Sequence, residues 1–273
     1  MKRVMAGFSV ISLLIATSIG VFLIAGVGKV YVDSKTAYNV RDAVSIASEN
    51  ARFAIDDLRR SLLMAGRGIN ADIDNRRNYE QRAAGLRTFP DVSANGDIGA
   101  SSIVDIDNVD PNLGSSVIAI RHASGPTPCR GAGAVSAMTT VRFFVDADTD
   151  ELVCEINGVT QVLVSGVIRM RVLYGVDTEN FEGAVANQYL TASQLEVGRV
   201  EASHPFWNNV VAIRVGLIVS SAERELPLNH RLNVTETFNL LGTDFTMPDT
   251  RHFYKTVSTT ISLRNLNTIV QRQ

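Results

Sequence analysis

Cysteine is scarce in this 273-residue chain, which holds two, Cys129 and Cys154. Two thiols exclude a disulfide-dense scaffold and a Cys-rich zinc module, because a structural zinc site needs about four Cys or His ligands at short spacing. The four histidines stand singly, at His122, His204, His230 and His252. An excess of one charge is missing too. With 26 basic and 28 acidic residues the net charge is −2, and the clustered Lys and Arg of a nucleic-acid binder are absent. Enzyme motifs are lacking: there is no His-Glu-x-x-His, no Gly-x-Ser-x-Gly and no phosphate loop ending in Gly-Lys-Ser/Thr. Gly66–Ala71 fits Gly-x-Gly-x-x-Ala in letters only. It follows a helical pattern rather than a strand, which excludes dinucleotide binding. No catalytic residue, metal ligand set or cofactor is expected.

What the chain does have is a long uncharged run. From Val4 to Gly28 there are 25 residues without a charge. About 20 residues of helix cross the roughly 30 Å hydrocarbon core of a bilayer. Lys2 and Arg3 precede the run, and Lys29 is the first charge after it. Positive charge on the short leading flank orients such a span with its N-terminus in the cytoplasm. The rest of the chain then lies on the far side of the inner membrane, in the periplasm of a Gram-negative cell.

Three readings of this segment stay open. A cleaved secretory signal would end near Ala16-Thr17-Ser18, although the apolar run continues ten residues further. An uncleaved signal anchor would keep the whole run. The third reading starts at Ala6-Gly7-Phe8-Ser9-Val10-Ile11, where a short basic leader ends in Gly and Phe opens the apolar stretch. That junction resembles a type III, prepilin-type signal. The resemblance implies that a prepilin peptidase cuts between Gly7 and Phe8, that the helix is kept and that Phe8 is methylated. Pilins usually carry Glu at the fifth mature position, which here is Ser12. An ionised Glu in a bilayer is costly and is kept for function, and Ser12 supplies no such charge to a neighbouring subunit's amine.

Beyond the span, Ala37, Val40, Val44, Ala47, Ala51, Ile55, Leu58, Leu62 and Ala65 recur at steps of three and four. That is one face of an α-helix. Arg41, Asp42, Glu49, Arg52, Asp56, Arg59 and Arg60 occupy the other faces, and Gly66 and Gly68 stand where a helix stop is expected. No Pro occurs from Met1 to Phe89, so span and stripe can be one continuous helix. The stripe lies on something apolar, either the chain's own domain or a partner.

Ser48-Glu49-Asn50-Ala51-Arg52-Phe53-Ala54, then Leu58-Arg59-Arg60 and Met64-Ala65-Gly66, resembles the PilW family of minor pilins in order and spacing. Scattered later stretches resemble it too: Arg142–Val145, Tyr174–Thr178 and Ser258–Asn265. The resemblance implies an α+β fold, a long N-terminal helix packed on an antiparallel sheet. It also implies three parts: a leader at 1–7, a helix at 8–65 that spans the membrane over about 8–28, and a periplasmic β-rich domain at 66–273. The implied role is a non-catalytic subunit of type IV pilus assembly, joining other minor pilins in a priming complex at the tip. Its implied partners are those pilins, the assembly machinery, the peptidase and inner-membrane lipid. A minor pseudopilin of type II secretion shares the architecture, and a signal-anchored periplasmic enzyme or binding protein is the alternative of another class.

The β-rich half reads as follows. Ser116–His122 is a strand. Thr139–Asp146 and Glu151–Ile156 form a hairpin closed by Ala147–Asp150, which Val159–Val164 extends. Ile168–Tyr174 and Val257–Leu263 alternate as half-buried strands do, and apolar Val210–Val219 suits a central strand. Asp177–Trp207 reads as a loop with a short helix around Thr191–Glu196, and Glu223–Thr250 as a second polar loop. In an oxidising compartment Cys129 and Cys154 pair. Asp146-Ala-Asp148-Thr-Asp150-Glu151 mimics the start of a calcium loop but lacks its turn Gly and closing Glu, so an Asp-rich turn is expected. The acidic stretches Asp177–Gly183 and Asp105–Asp110 are weaker metal candidates still.

Overall fold

The computed structural model describes residues 9–67, 115–122, 125, 129, 139–178, 185–192, 194–195, 210–222, 224–231 and 234–267. Helix α1 runs unbroken over Val10–Leu62. Among the described residues ten strands follow: β1 (Ile118–His122), β2 (Thr139–Asp146), β3 (Glu151–Ile156), β4 (Val159–Ser165), β5 (Val167–Val176), β6 (Gln188–Leu190), β7 (Val210–Ser220), β8 (Thr237–Leu240), β9 (Thr243–Thr246) and β10 (Tyr254–Ser262). A short helix α2 (Arg264–Asn267) ends the described chain. All strand pairs are antiparallel, and a long helix on antiparallel sheets is the fold class the resemblance implies.

The strands divide into two four-stranded sheets, ordered β1-β2-β3-β4 and β10-β7-β5-β6, with β8-β9 apart as a ribbon. One residue, Gly166, separates β4 from β5, so a single stretch of chain leaves one sheet and enters the other. Gly166 has φ +78, and its carbonyl accepts from the Ser220 N–H at 2.7 Å. A register shift follows between Val167 and Arg169. It lets Val167 and Met170 share the inner core although their positions differ in parity. The sheets meet again at Ser115 and Ser116, which bond to the Met170 and Val172 edge of β5.

One core joins the elements. Leu58 and Leu62 of α1 pack with Ile120, Phe143 and Leu152 of the first sheet and with Tyr174, Ile213, Val215 and Leu217 of the second. Each buried Leu or Ile of this kind contributes about 1.5–3 kcal/mol. A smaller cluster lies on the other face of the second sheet, where Leu240, Phe245 and Met247 cover Ile168, Ile218 and Tyr254. The β8-β9 ribbon thus caps a face whose central residue had to be small. A Cβ on Gly216 would come within 2.8 Å of Leu240.

Two expectations change. Glu223–Thr250 is not simply a polar loop, because the ribbon that buries Leu240, Phe245 and Met247 lies within it. Its strands have four residues each, and Gly242 at φ +88 makes the turn between them. Asp177–Trp207 holds the three-residue strand β6 as well as a helical turn. Thr191 and Gln194 cap that turn reciprocally, at 3.3 and 2.9 Å, with Leu195 buried beneath. Reciprocal capping of this kind marks a helix start.

Gly166→Ala is expected to lower stability by about 1–3 kcal/mol. The new Cβ meets the Ser220 carbonyl and the Ala222 methyl at 3.1 Å, and positive φ strains any L-residue. Chemical unfolding of the full chain in detergent reads this as an earlier midpoint. An unchanged midpoint would mean that the corner is not constrained.

Candidate assembly site: an exposed helix and its seat

Helix α1 meets two environments. From Val10 to Val32 its large apolar residues stand in the open, among them Phe22 at 79% and Tyr31 at 68% exposed. Length and composition fit this part to a membrane. Its polar groups satisfy themselves, since the Thr17 and Ser18 hydroxyls both donate to the Leu14 carbonyl. Ser12 is exposed on this half of the helix. Gly7 and Phe8 lie outside the described residues.

The second half is seated on the chain's own domain. The buried positions are Ala43, Ala47, Ala51, Ala54, Leu58, Ser61, Leu62 and Ala65. This stripe departs from the expected one at its start, for Ala37 and Val44 are exposed and Val40 is half-buried. The seat begins at Ala43, and its first turns carry only methyl groups. Alanines let a helix approach a sheet closely, and α1 packs on β10, β7 and β5 of the second sheet and on β4 of the first.

Polar contacts fix the seat at both ends. Near the span, Arg224 meets Asp42 at 2.7 Å and the Lys255 ammonium donates to Ser48 at 3.2 Å. At the far end, the Asn265 amide donates to the carbonyls of Leu63 and Ala65 at 2.8 and 3.1 Å. The Gly66 N–H donates to the Arg121 carbonyl of β1. A helix end leaves carbonyls without intrahelical partners, and Asn265 answers two carbonyls of the turn that follows α1. Nothing in its neighbourhood marked Asn265 for that role except its place in the closing PilW-like stretch.

Cys129 and Cys154 form a disulfide, with Cα atoms 5.8 Å apart and both residues buried. Cys154 lies in β3, so the bond ties the segment before β2 to the middle of the first sheet. A loop of this size gives about 3 kcal/mol in the chain-entropy account.

A titratable cluster, unforeseen from the sequence, lies where the β2–β3 turn, the start of β5 and the link into β10 meet. Asp249 accepts the N–H groups of Arg251 and His252 at 2.7 and 3.1 Å and the His252 Nδ1 at 2.8 Å. Partial burial alone would raise its pKa. The hydrogen bonds outweigh that and hold it below the usual carboxylate range. Tyr254 is pushed well up, first by burial and then by the Asp249 charge. Burial pushes Asp150 up, partly offset by Arg169 and His252. Burial pulls Arg169 down, partly offset by Asp150. In the Asp-rich turn, Asp146 accepts the Asp148 N–H at 3.0 Å while Asp150 takes a left-handed φ of 54. That is turn-making work for two of its acids. Among the described residues no group of three or more His, Cys, Asp or Glu could hold a metal ion. Glu179, Glu182, Gly183 and the Asp105–Asp110 stretch lie outside the described residues.

Residues 142–265, from the fourth position of β2 to the Asn265 cap, match the family model described as Type IV Pilus-assembly protein W. Over that stretch, 124 of the 273 residues, the chain is similar to the PilW family. The match takes in the seat's β10, β7 and β5 but not α1, so it reaches the domain and not the span. It connects the chain with type IV pili at that coarse level. No curated protein matches the chain. Among solved structures, a type IV-like pilin from Thermus thermophilus aligns over 56% of this chain and 80% of its own, at 12% identity and a TM-score of 0.31. That superposition is too loose to bear on the PilW-like domain.

Asp249→Asn tests the cluster through pH. A carboxylate whose folded pKa is depressed adds stability above its unfolded pKa, about 3.9, and the gain is lost as pH falls through the folded value. Urea midpoints of the wild type should therefore drop on acidification below about pH 5. Asp249→Asn should flatten that drop and start about 1 kcal/mol lower at pH 7. Asp150, with its raised pKa, works in the opposite sense. Equal slopes in both proteins would show that Asp249 is not the group that titrates.

Proposed function

We propose that this chain is a minor pilin of the type IV pilus assembly system, acting as a structural subunit rather than an enzyme. The observation that carries this reading is the single helix α1, apolar and exposed over its first half and seated by alanines and leucines over its second, on a PilW-like domain. Such a helix can rest in the inner membrane and later pass into an assembly without changing its fold. In this reading the domain lies in the periplasm, because Lys2 and Arg3 hold the short N-terminal flank in the cytoplasm. The leader ends at Gly7, the mature chain begins at Phe8, and the partners are other minor pilins.

Ser12 supports a priming or tip position. A Glu at this place can attract a neighbour's N-terminal amine, strongly so in a medium of low dielectric. A Ser hydroxyl can satisfy itself on its own helix, as Thr17 and Ser18 do. A subunit without the charge is best tolerated where no neighbour's amine depends on it.

Mass spectrometry of the membrane-extracted chain should find a mature N-terminus at Phe8, and Gly7→Val should leave the leader uncut. An N-terminus at any other residue would defeat the pilin reading. Ser12→Glu tests the position. Immunogold label on the wild type should be sparse and terminal, whereas Ser12→Glu should spread it along the shaft. Even shaft label on the wild type, or no change on substitution, would remove the argument from Ser12.

A further inference from the structure

Strand directions tell which end of the domain faces the span. Lys255, at the start of β10, meets Ser48, while Asn265, just past its end, meets Leu63 and Ala65. β10 therefore runs along α1 in the same sense, and its start is the end nearer the membrane segment. Tyr254 pairs with Ser220, and Val167 pairs with Val219. The end of β7 and the start of β5 share that rim.

The chain leaves β7 there and enters a loop whose Arg224 grips Asp42, below Ser48 on α1. Leu228 and Val234 follow, 81% and 75% exposed. These are unusual residues to leave in water, since outside α1 the other large exposed apolar residues among those described are Val159, Val162 and Val185. Residues 224–226 and 231 of the loop are tied down. Arg231 meets Glu225, Arg251 meets Glu225 at 3.3 Å, and the Leu226 N–H donates to the Arg251 carbonyl. Arg224, Glu225 and Arg231 are thus paired, and Leu228 and Val234 are the exposed apolar side chains between and beyond them.

Height decides the partner. Beyond the span expected over about 8–28, exposed Val30, Tyr31 and Val32 carry the apolar surface on to Asp33, and the stem of Lys29 can carry its charge outward, so the apolar surface ends at Val32. From Val32 to Asp42 the helix rises about 15 Å. The headgroup layer of one leaflet takes about 5–7 Å of this. The remaining 8–10 Å lies within reach of four residues past Arg224, at about 3.3 Å each.

We propose that this rim is a membrane-contact face, with Leu228 and Val234 seated in the headgroup layer of the bilayer that holds α1. The proposal rests on the membrane reading of α1. It gives the unassembled subunit a second, weaker attachment that fixes the tilt of the domain.

The test uses the full chain in liposomes of phosphatidylcholine and phosphatidylglycerol at 3:1, with and without brominated acyl chains. Leu228→Trp and Val185→Trp are compared with the unchanged chain, which has one Trp. Val185 lies beside the far end of β5, where the Asn187 N–H meets the Val176 carbonyl, and serves as the membrane-distal control. Both sites are open, so neither Trp has to fit the core. The added emission at 228 should shift to the blue and be quenched at least two-fold more by brominated lipid than that at 185. Hydrogen exchange of 224–231 should also slow in liposomes relative to detergent. Equal quenching at both positions with unchanged exchange would overturn the proposal and leave the tip to water or to another subunit. Failure of the chain to float with liposomes would overturn the membrane reading of α1 as well.

Discussion

A single helix is apolar and exposed over its first half and seated on a domain over its second, and the rest of the molecule follows from that. A bilayer would require every backbone group to be paired within the segment, and the first half of α1 suits that: it has no proline, and the Thr17 and Ser18 hydroxyls fold back on the helix. In water the second half needs a partner for its apolar stripe, because a lone helix of that length is marginal. The two sheets supply it. Their inner faces point at α1, the second sheet offering β10, β7 and β5 and the first offering β4. The one-residue corner at Gly166 is what lets one continuous chain build both walls of the seat.

Outside the apolar core, side chains close the joints where elements change direction. Asn265 answers carbonyls beyond the end of α1, Ser220 answers the Gly166 carbonyl, and Asp249 organises the entry to β10. Each sits where the backbone would otherwise present unpaired groups at a buried or half-buried bend, a cost of about 1–3 kcal/mol per group. The disulfide does similar work for the segment before β2, tying it to a strand in the middle of the first sheet. These are the places where the fold depends on particular residues rather than on apolar character alone.

That distinction explains what could be read in advance. Strands such as Thr139–Asp146 and Ile168–Tyr174 announce themselves by period-two alternation, and α1 by its uncharged run and its stripe. The cysteine pairing follows from there being only two thiols. The phase of the stripe did not follow. Val40 and Val44 outweigh Ala43 on any hydropathy scale, yet Ala43 is the buried one, because the close approach of helix to sheet favours small side chains at that level. The β8-β9 ribbon escaped because its strands are short, and Thr237, Asn239, Asp244 and Thr246 hide the buried Leu240 and Phe245 between polar neighbours. The Asp249 cluster escaped because its members come from three separated stretches that only the two-sheet corner brings together. The proposed processing site at Gly7 and Phe8 and the proposed role of Ser12 stand apart from all of this, since they are argued from the pattern of the leader and not from anything the domain folds around.

The grip on α1 is graded along its length, and the grading has a direction. Ala43, Ala47 and Ala51 each bury little area, and the nearby ion pair and hydroxyl contact at Asp42 and Ser48 are partly exposed, where such contacts contribute about 1 kcal/mol or less. Leu58 and Leu62, with the Asn265 cap and the Gly66 N–H beyond them, hold the helix far more strongly at about 1.5–3 kcal/mol per leucine. The domain is thus secured to the helix at the end remote from the span and only lightly held at the near end. A load that tilts the span relative to the domain meets its weakest resistance over residues 42–51, while the fold around Leu58 and Leu62 stays intact. In the minor-pilin reading proposed above, a subunit that first sits in a bilayer and then packs among other helices would gain from that order. Its exposed half can change neighbours without disturbing the core that defines the domain.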